Sequence, residues 1–333
     1  MKKIYTLWLL LFCSICTSQE WVPINTILRN YSAIFFSNAE VGYTGTRTNG
    51  SEQAQLLKTI DGGSSWTQIP LEGATDFNAI TSIYFSNEGK GFITTDNADV
   101  SFLTEDGGDT WTIVACGANS QGIAYFKDNN HGFYYNPDLD NNFSITTNGG
   151  VTWTLIDDFD GLLEGAVSDI HFPDNSQDIG YAVAYNELFK TLDGGLNWDY
   201  VSFHGSASSN VFFINQAVGF VAGDSGIYKT TNSGINWTYI PNTLLISNIH
   251  FTDENTGYSV FNDHTLGPNW IRKTNDQGNS WTNMTIQNIE GSTGDIIDFV
   301  FPSENVGYAI SSDGAIYKLD TTAAAESYIS KSI

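Results

Sequence analysis

The polar side chains that could do chemistry in this chain recur at one position. Three residues ahead of a repeated Phe stand Ala33, Ser82, Ile123, Asp169, Asn210, Asn248 and Asp298. Five of these seven are polar, although each opens an apolar segment. If those segments stand side by side around an axis, Asp169, Asn210, Asn248 and Asp298 form a polar funnel for a ligand, a cation or a chain of water. Ordinary hydration of a channel would call for the same row of residues. Segments that do not repeat bring Arg47, His204 and Trp270 to the rim. Trp270 is singled out by elimination: Trp8 lies in the N-terminal leader, and Trp21, Trp66, Trp111, Trp153, Trp198, Trp237 and Trp281 share a repeated position. A Trp on a variable loop can stack on a sugar, grip a partner, or simply pack beneath the loop.

Several chemistries can be weighed on these residues. Asp138, Asp140 and Asn142 alternate as oxygen ligands of the kind Ca²⁺ accepts, but the distal Glu of a twelve-residue calcium loop is absent. Otherwise no cofactor is expected. The five His are scattered and form no transition-metal set. Asp169 and Asp298 would serve glycoside hydrolysis if they faced each other at about 5–10 Å. A lyase would draw on His204, Tyr135 or Arg47, which no motif marks. His171 and His250 occupy a repeated slot held elsewhere by Phe35, Tyr84, Tyr125 and Phe212, which favours a packing role over catalysis. Of three Cys, two lie in the leader, so Cys116 has no disulfide partner and reads as a small buried apolar side chain.

The elements that must position these residues come from a repeat. Six segments follow T-x-[D/N]-x-G-x-[S/T/N]-W: Thr59–Trp66, Thr104–Trp111, Thr146–Trp153, Thr191–Trp198, Thr230–Trp237 and Thr274–Trp281. The tryptophans are 45, 42, 45, 39 and 44 residues apart. A period near forty with a turn in each unit predicts a radial array of small sheets. In each turn the Asp or Asn is expected to accept backbone N–H groups one and two residues on. The Gly supplies a positive φ, and the Trp covers the hairpin.

A second pattern, Phe followed by a polar turn and then Gly with an aromatic, occurs seven times, from Phe36…Gly42-Tyr43 to Phe301…Gly307-Tyr308. The seventh unit reaches Ile316-Tyr317-Lys318-Leu319 and lacks its turn. Glu20-Trp21-Val22-Pro23-Ile24 resembles Ser65-Trp66-Thr67-Gln68-Ile69 and supplies the missing strand. The fold class is therefore all-β: a seven-bladed β-propeller of four-stranded antiparallel blades, closed by an N-terminal strand in the last blade, which removes open sheet edges. Within each blade the first–second and third–fourth turns share one face of the ring. The second–third loops and the links between blades share the other. The first set repeats and the second varies, so a binding site is expected on the variable face.

Met1-Lys2-Lys3, an apolar run through Leu9-Leu10-Leu11-Phe12 and a small-residue end read as a secretory signal peptide over 1–18, cut before Gln19. The propeller is expected over 19–320, with a flexible tail at 321–333. Periplasmic or extracellular localisation follows. The 333 residues carry a net charge of −24, and losing Lys2 and Lys3 with the leader makes it −26. That balance argues against nucleic acid or anionic membrane as a partner. No transmembrane segment is expected beyond the leader. A closed ring is expected to be a monomer, meeting a protein or a glycan on its variable loops.

The turns resemble the Asp-box, or BNR, repeats of sialidases, of xyloglucanase-type glycoside hydrolases, of sortilin-type receptors and of the photosystem II stability/assembly factor family. The Phe…Gly-Tyr, Ile-Tyr-Lys-Thr and Asp-Gly-Gly…Trp combination is most similar to the last of these. That resemblance implies an exported, non-catalytic scaffold that binds protein. Its members use a basic surface, where this chain has only Arg29, Arg47 and Arg272. A sialidase would need three arginines converging on a carboxylate, beside a Tyr nucleophile with its Glu. A carbohydrate-active enzyme, or a glycan-binding protein, is the alternative. An enzyme should gather perturbed acids, a Tyr or His and an Arg in one pocket.

Overall fold

The computed structural model describes residues 19–24, 28–48, 53–73, 77–86, 89–97, 100–115, 122–135, 143–156, 167–173, 178–184, 187–201, 203, 208–241, 243, 246–261, 270–287 and 294–321. These form seven sheets, antiparallel except for one strand pair, and no α-helix. Blade 4 shows the plan. Val167–His171 is innermost, followed outward by Gly180–Ala184, Glu187–Thr191 and Asp199–Val201. The expected seven-bladed propeller is the fold observed.

Each turn is a small hydrogen-bonded unit. Thr59 Oγ1 donates to Asp61 Oδ1 at 2.8 Å and accepts the N–H of Gly63 at 2.9 Å. Asp61 in turn accepts from the backbone and hydroxyl of Ser65, at 2.8 and 2.6 Å. The carboxylate thus reaches four residues on, rather than the one or two expected. The nearer N–H groups are already taken, that of Gly62 by the Glu40 carbonyl and that of Gly63 by the Thr59 hydroxyl. These donors hold the Asp61 and Asp106 carboxyls down at about 2. Gly63 sits at φ 85°, where a Cβ would be strained.

The Phe…Gly-aromatic pattern is the seam between blades. A Cβ on Gly42 would lie 2.4 Å from the Phe36 ring, so only Gly lets that ring lie flat on the neighbouring strand. The aromatic after Gly stacks on the repeated Phe of the next blade: Tyr43 on Phe85 at 4.4 Å, Tyr181 on Phe213 at 3.7 Å, Tyr258 on Phe301 at 4.2 Å. A Lys of the third strand caps the stack. Lys58, Lys190 and Lys273 lie 5.6, 5.3 and 5.5 Å from the Tyr43, Tyr181 and Tyr258 ring centres. Lys58 and Lys190 also donate to turn carbonyls of the following blade, Gly107 and Ser233.

Blade 7 is made from both ends of the described chain. Val22 and Pro23 pair antiparallel with Lys318 and Tyr317. Glu20 and Trp21 also pair in parallel with Thr285 and Ile286, which continue from the outer strand of blade 6. The N-terminal strand therefore zips two blades together, one more than expected. Trp21 is fully buried beside Phe301. Tyr308 stacks on Phe36 at 3.5 Å and completes the circle.

Candidate functional site

The inner strands start on the variable face, and six of the seven carry a shift of register there, as between Val167 and Asp169 or Ile296 and Asp298. Each shift ends on the position singled out in the sequence, which is Ala33 in blade 1 and polar in the other five. Asp169, Asn210, Asn248 and Asp298 all keep part of their surface open.

What Asp169, Asn210 and Asp298 touch is the next blade. Asp169 Oδ2 accepts from Asn210 Nδ2 at 2.6 Å and from the Val211 N–H at 2.9 Å. Its Oδ1 accepts the Ile170 N–H at 2.8 Å and the Tyr135 hydroxyl at 3.5 Å. Asn210 Oδ1 accepts the Ile249 N–H at 3.1 Å. Asp298 accepts the N–H of Phe299 and that of Ile34, across the seam where the circle closes. In each of the three the distant backbone N–H belongs to the residue following the same position one blade on. Hydroxyls just ahead of these positions repeat the device with carbonyls: Ser32 donates to Ile80, Thr81 to Gly122, and Ser209 to Ile246. The polar row is a chain of ties between blades. Sequence reading missed this, although its signal was available: the partners lie one repeat apart, at separations of 39, 41 and 42.

A second row lies two residues further along. The Tyr84 hydroxyl donates to the Phe126 carbonyl, and Tyr125 accepts the Phe172 N–H. His171 Nε2 lies 3.0 Å from the Phe213 carbonyl, which selects the tautomer that donates there. The His171 ring packs on Phe212, and His250 stacks on Phe301. Burial pushes both imidazoles down to about 4, so they are neutral at pH 7. Burial pushes Asp169 and Asp298 the other way, up to about 7, while the N–H donors pull against it.

The rim residues do not all come together. Arg47 is exposed; its N–H donates to the Asn30 carbonyl and its backbone bridges to Ala79, tying blade 1 to blade 2. Trp270 opens the third strand of blade 6, opposite Phe261. His204, Asp138, Asp140, Asn142 and Cys116 lie outside the described residues. The three arginines are held separately. Arg29 donates to Gln55, and Arg272 lies 3.8 Å over the Phe261 ring. Among the described residues no group of three or more His, Cys, Asp or Glu could hold a metal. No helix among them is long and apolar enough to cross a membrane.

The variable face carries a cavity that no motif announced. About 400 Å³ opens at the rim of blade 1. It lies between Gln53 and Gln55, which lead into the third strand, and Gln68 and Pro70 at the exit of the outer strand. Leu71 and Phe77 contribute apolar wall. Arg29 Nη1 donates to Gln55 Oε1 at 2.7 Å and fixes that amide. None of its described lining residues is ionisable. The turn face has a hollow of similar size in blade 2, against Glu105, Asp106 and Thr110, where the Asp106 carboxylate is already bonded to Thr110.

No protein-family model and no curated protein matches the chain. Solved structures do. YCF48 from Cyanidioschyzon merolae superposes with a TM-score of 0.68 at 16% identity, covering 90% of this chain and 98% of its own. A structure of YCF48 bound to D1 peptide gives 0.67 at 15%, covering 91% and 97%. An ancestral GH74 enzyme gives 0.67 at 14%, covering 90% of this chain and 46% of the enzyme. At these identities the likeness is one of fold, and that fold carries a peptide binder and a glycoside hydrolase alike.

Proposed function

We propose that this protein is an exported, non-catalytic propeller that binds an extended peptide segment of a protein partner on its variable face, with the blade 1 cavity as the point of engagement. The observation that carries this is the chemistry of that cavity. The polar groups of its described lining are amides and its walls are apolar, so the described lining can bind a ligand but supplies no acid, base or nucleophile. Side-chain amides present a donor and an acceptor together, which matches a peptide backbone. The outer strand Thr67–Ile69 beside the cavity is a sheet edge to which an extended segment can add. Phe77 is 8% exposed and presents little ring face for stacking a sugar. Asp169, His171 and Asp298 are bonded to neighbouring blades, and among the described hydrogen bonds none joins an Arg to them. YCF48 with its bound D1 peptide lends the same architecture as precedent.

The test is a choice offered to the protein. A phage-displayed random peptide library and a glycan array are both challenged with the purified propeller. Peptides should be selected, and Gln53→Trp, which fills the cavity mouth, should abolish their binding without changing the fold. Glycan binding with no peptide selected would replace this function by the carbohydrate one.

A further inference from the structure

Six blades end their third strand in the turn motif, and blade 7 does not. This leaves one lysine without the carbonyl its counterparts use. Lys58, Lys190 and Lys229 each donate to a turn carbonyl of the blade that follows, namely Gly107, Ser233 and Gln277. Lys273 holds the same position in blade 6, over the Tyr258 ring, but the blade that follows is the seventh. Its ammonium donates instead to Gln19 Oε1, at 2.6 Å. Gln19 is exposed and precedes Glu20–Pro23, the strand that closes the ring. It is also the first residue of the exported chain if the leader is cut where the sequence indicates.

We propose that Gln19 is a modification site: its freed α-amine closes on its own side-chain carboxamide to form an N-terminal pyroglutamate, with Lys273 holding the carbonyl oxygen. The inference rests on the export reading above. The bond from the amine nitrogen to Cδ forms, the Cδ–Nε2 bond breaks, and ammonia leaves with a proton from the amine. Nothing is oxidised or reduced. Lys273 assists in two ways. Its ammonium faces the oxygen on which negative charge develops, the arrangement that stabilises a tetrahedral intermediate. A second cation nearby also disfavours the protonated amine, which raises the fraction of nucleophile. The product suits the site as well. The lactam keeps a carbonyl for Lys273 and removes the like charge a terminal ammonium would place beside it. A blocked end gives an aminopeptidase no free amine next to Trp21, whose burial closes the ring.

Two measurements separate the parts of this proposal. Mass spectrometry of the protein recovered from the exported fraction should show an N-terminal peptide beginning at residue 19 and lighter by one ammonia. A different first residue would overturn the leader assignment but leave the chemistry to the second experiment. There, a removable N-terminal fusion exposes Gln19 on purified protein, and cyclisation is followed with time. Wild type should cyclise faster than Lys273→Met by roughly tenfold or more, with Lys273→Arg in between. In urea, where the contact is lost, all three should share one slow rate. Equal rates for folded wild type and Lys273→Met, or no acceleration of folded over unfolded wild type, would overturn the role of Lys273.

Discussion

The two faces of the ring treat their polar groups in opposite ways. On the turn face the Thr, the Asp or Asn and the Gly of each motif bond to one another within eight residues, and six of the seven blades repeat the arrangement. On the variable face the bonds run between blades, from Asp169 to Val211 or Asn210 to Ile249, and a cavity opens at the rim of blade 1. Repetition marks what folding needs. The place where the pattern stops is where a ligand can be told apart from the scaffold.

Removing the one strand that both completes blade 7 and joins it to blade 6 should break this division most severely. Deleting residues 19–24 takes away the fully buried Trp21 and its pairing on both sides. The melting temperature should fall by roughly 10 °C or more. A calorimetric scan that moves by only a degree or two would show that the ring closes without it.

Next in size is the turn-face Trp. Trp198 is 7% exposed and its Nε1 donates to the Gly195 carbonyl at 3.1 Å. Trp198→Ala should cost about 3–5 kcal/mol in a denaturant titration. Its milder relative sharpens the point. Trp198→Phe should lose about 1 kcal/mol more than Trp66→Phe, because the Trp66 indole N–H is buried with no partner to lose. Equal costs at the two sites would mean that the indole bond adds nothing.

The channel should reveal itself through pH. Asp169 and Asp298, raised to about 7 from an unfolded 3.8, contribute stability that is full below pH 3.8 and lost as pH rises to 7. His171 and His250, lowered to about 4 from 6.5, contribute stability that is full above pH 6.5 and lost as pH falls through 4. Between pH 4 and 6.5 the two slopes oppose each other, so wild-type stability should be nearly level. The double variant His171→Phe, His250→Phe uses the residue that blades 1 and 5 already carry in this slot. It should leave the acid slope alone, with stability falling as pH rises from 4 to 7. A level profile in the double variant would show that the two carboxyls do not titrate in that window.

The smallest effect on stability belongs to the variable face. Gln53→Trp alters an exposed residue and should stay within about 0.5 kcal/mol of wild type while abolishing peptide capture. A loss of stability as large as that of Trp198→Ala would make the cavity a structural element instead.

The architecture could be read from the chain because its signals are local. A turn of eight residues names its own Thr, Asp and Gly, and counting seven Phe units against six turns points to Trp21 as the missing edge. Even the lysine stripe is periodic in the sequence. The residues flagged for chemistry could be located but not interpreted. Asp169 and Asp298 look like candidate acids in a list of residues. Their partners lie in the neighbouring blade and, for Asp298, at the other end of the chain in blade 1. Ring closure alone brings these groups within bonding distance. The cavity depended on tertiary structure for the same reason. Gln53, Gln55, Gln68 and Phe77 have no shared motif or period, and they form one surface only because strand pairing folds the loop back over the strand exit. Local sequence set the unit and its number. The bonds between units, and the one gap in their regularity, were decided by how the ring closes.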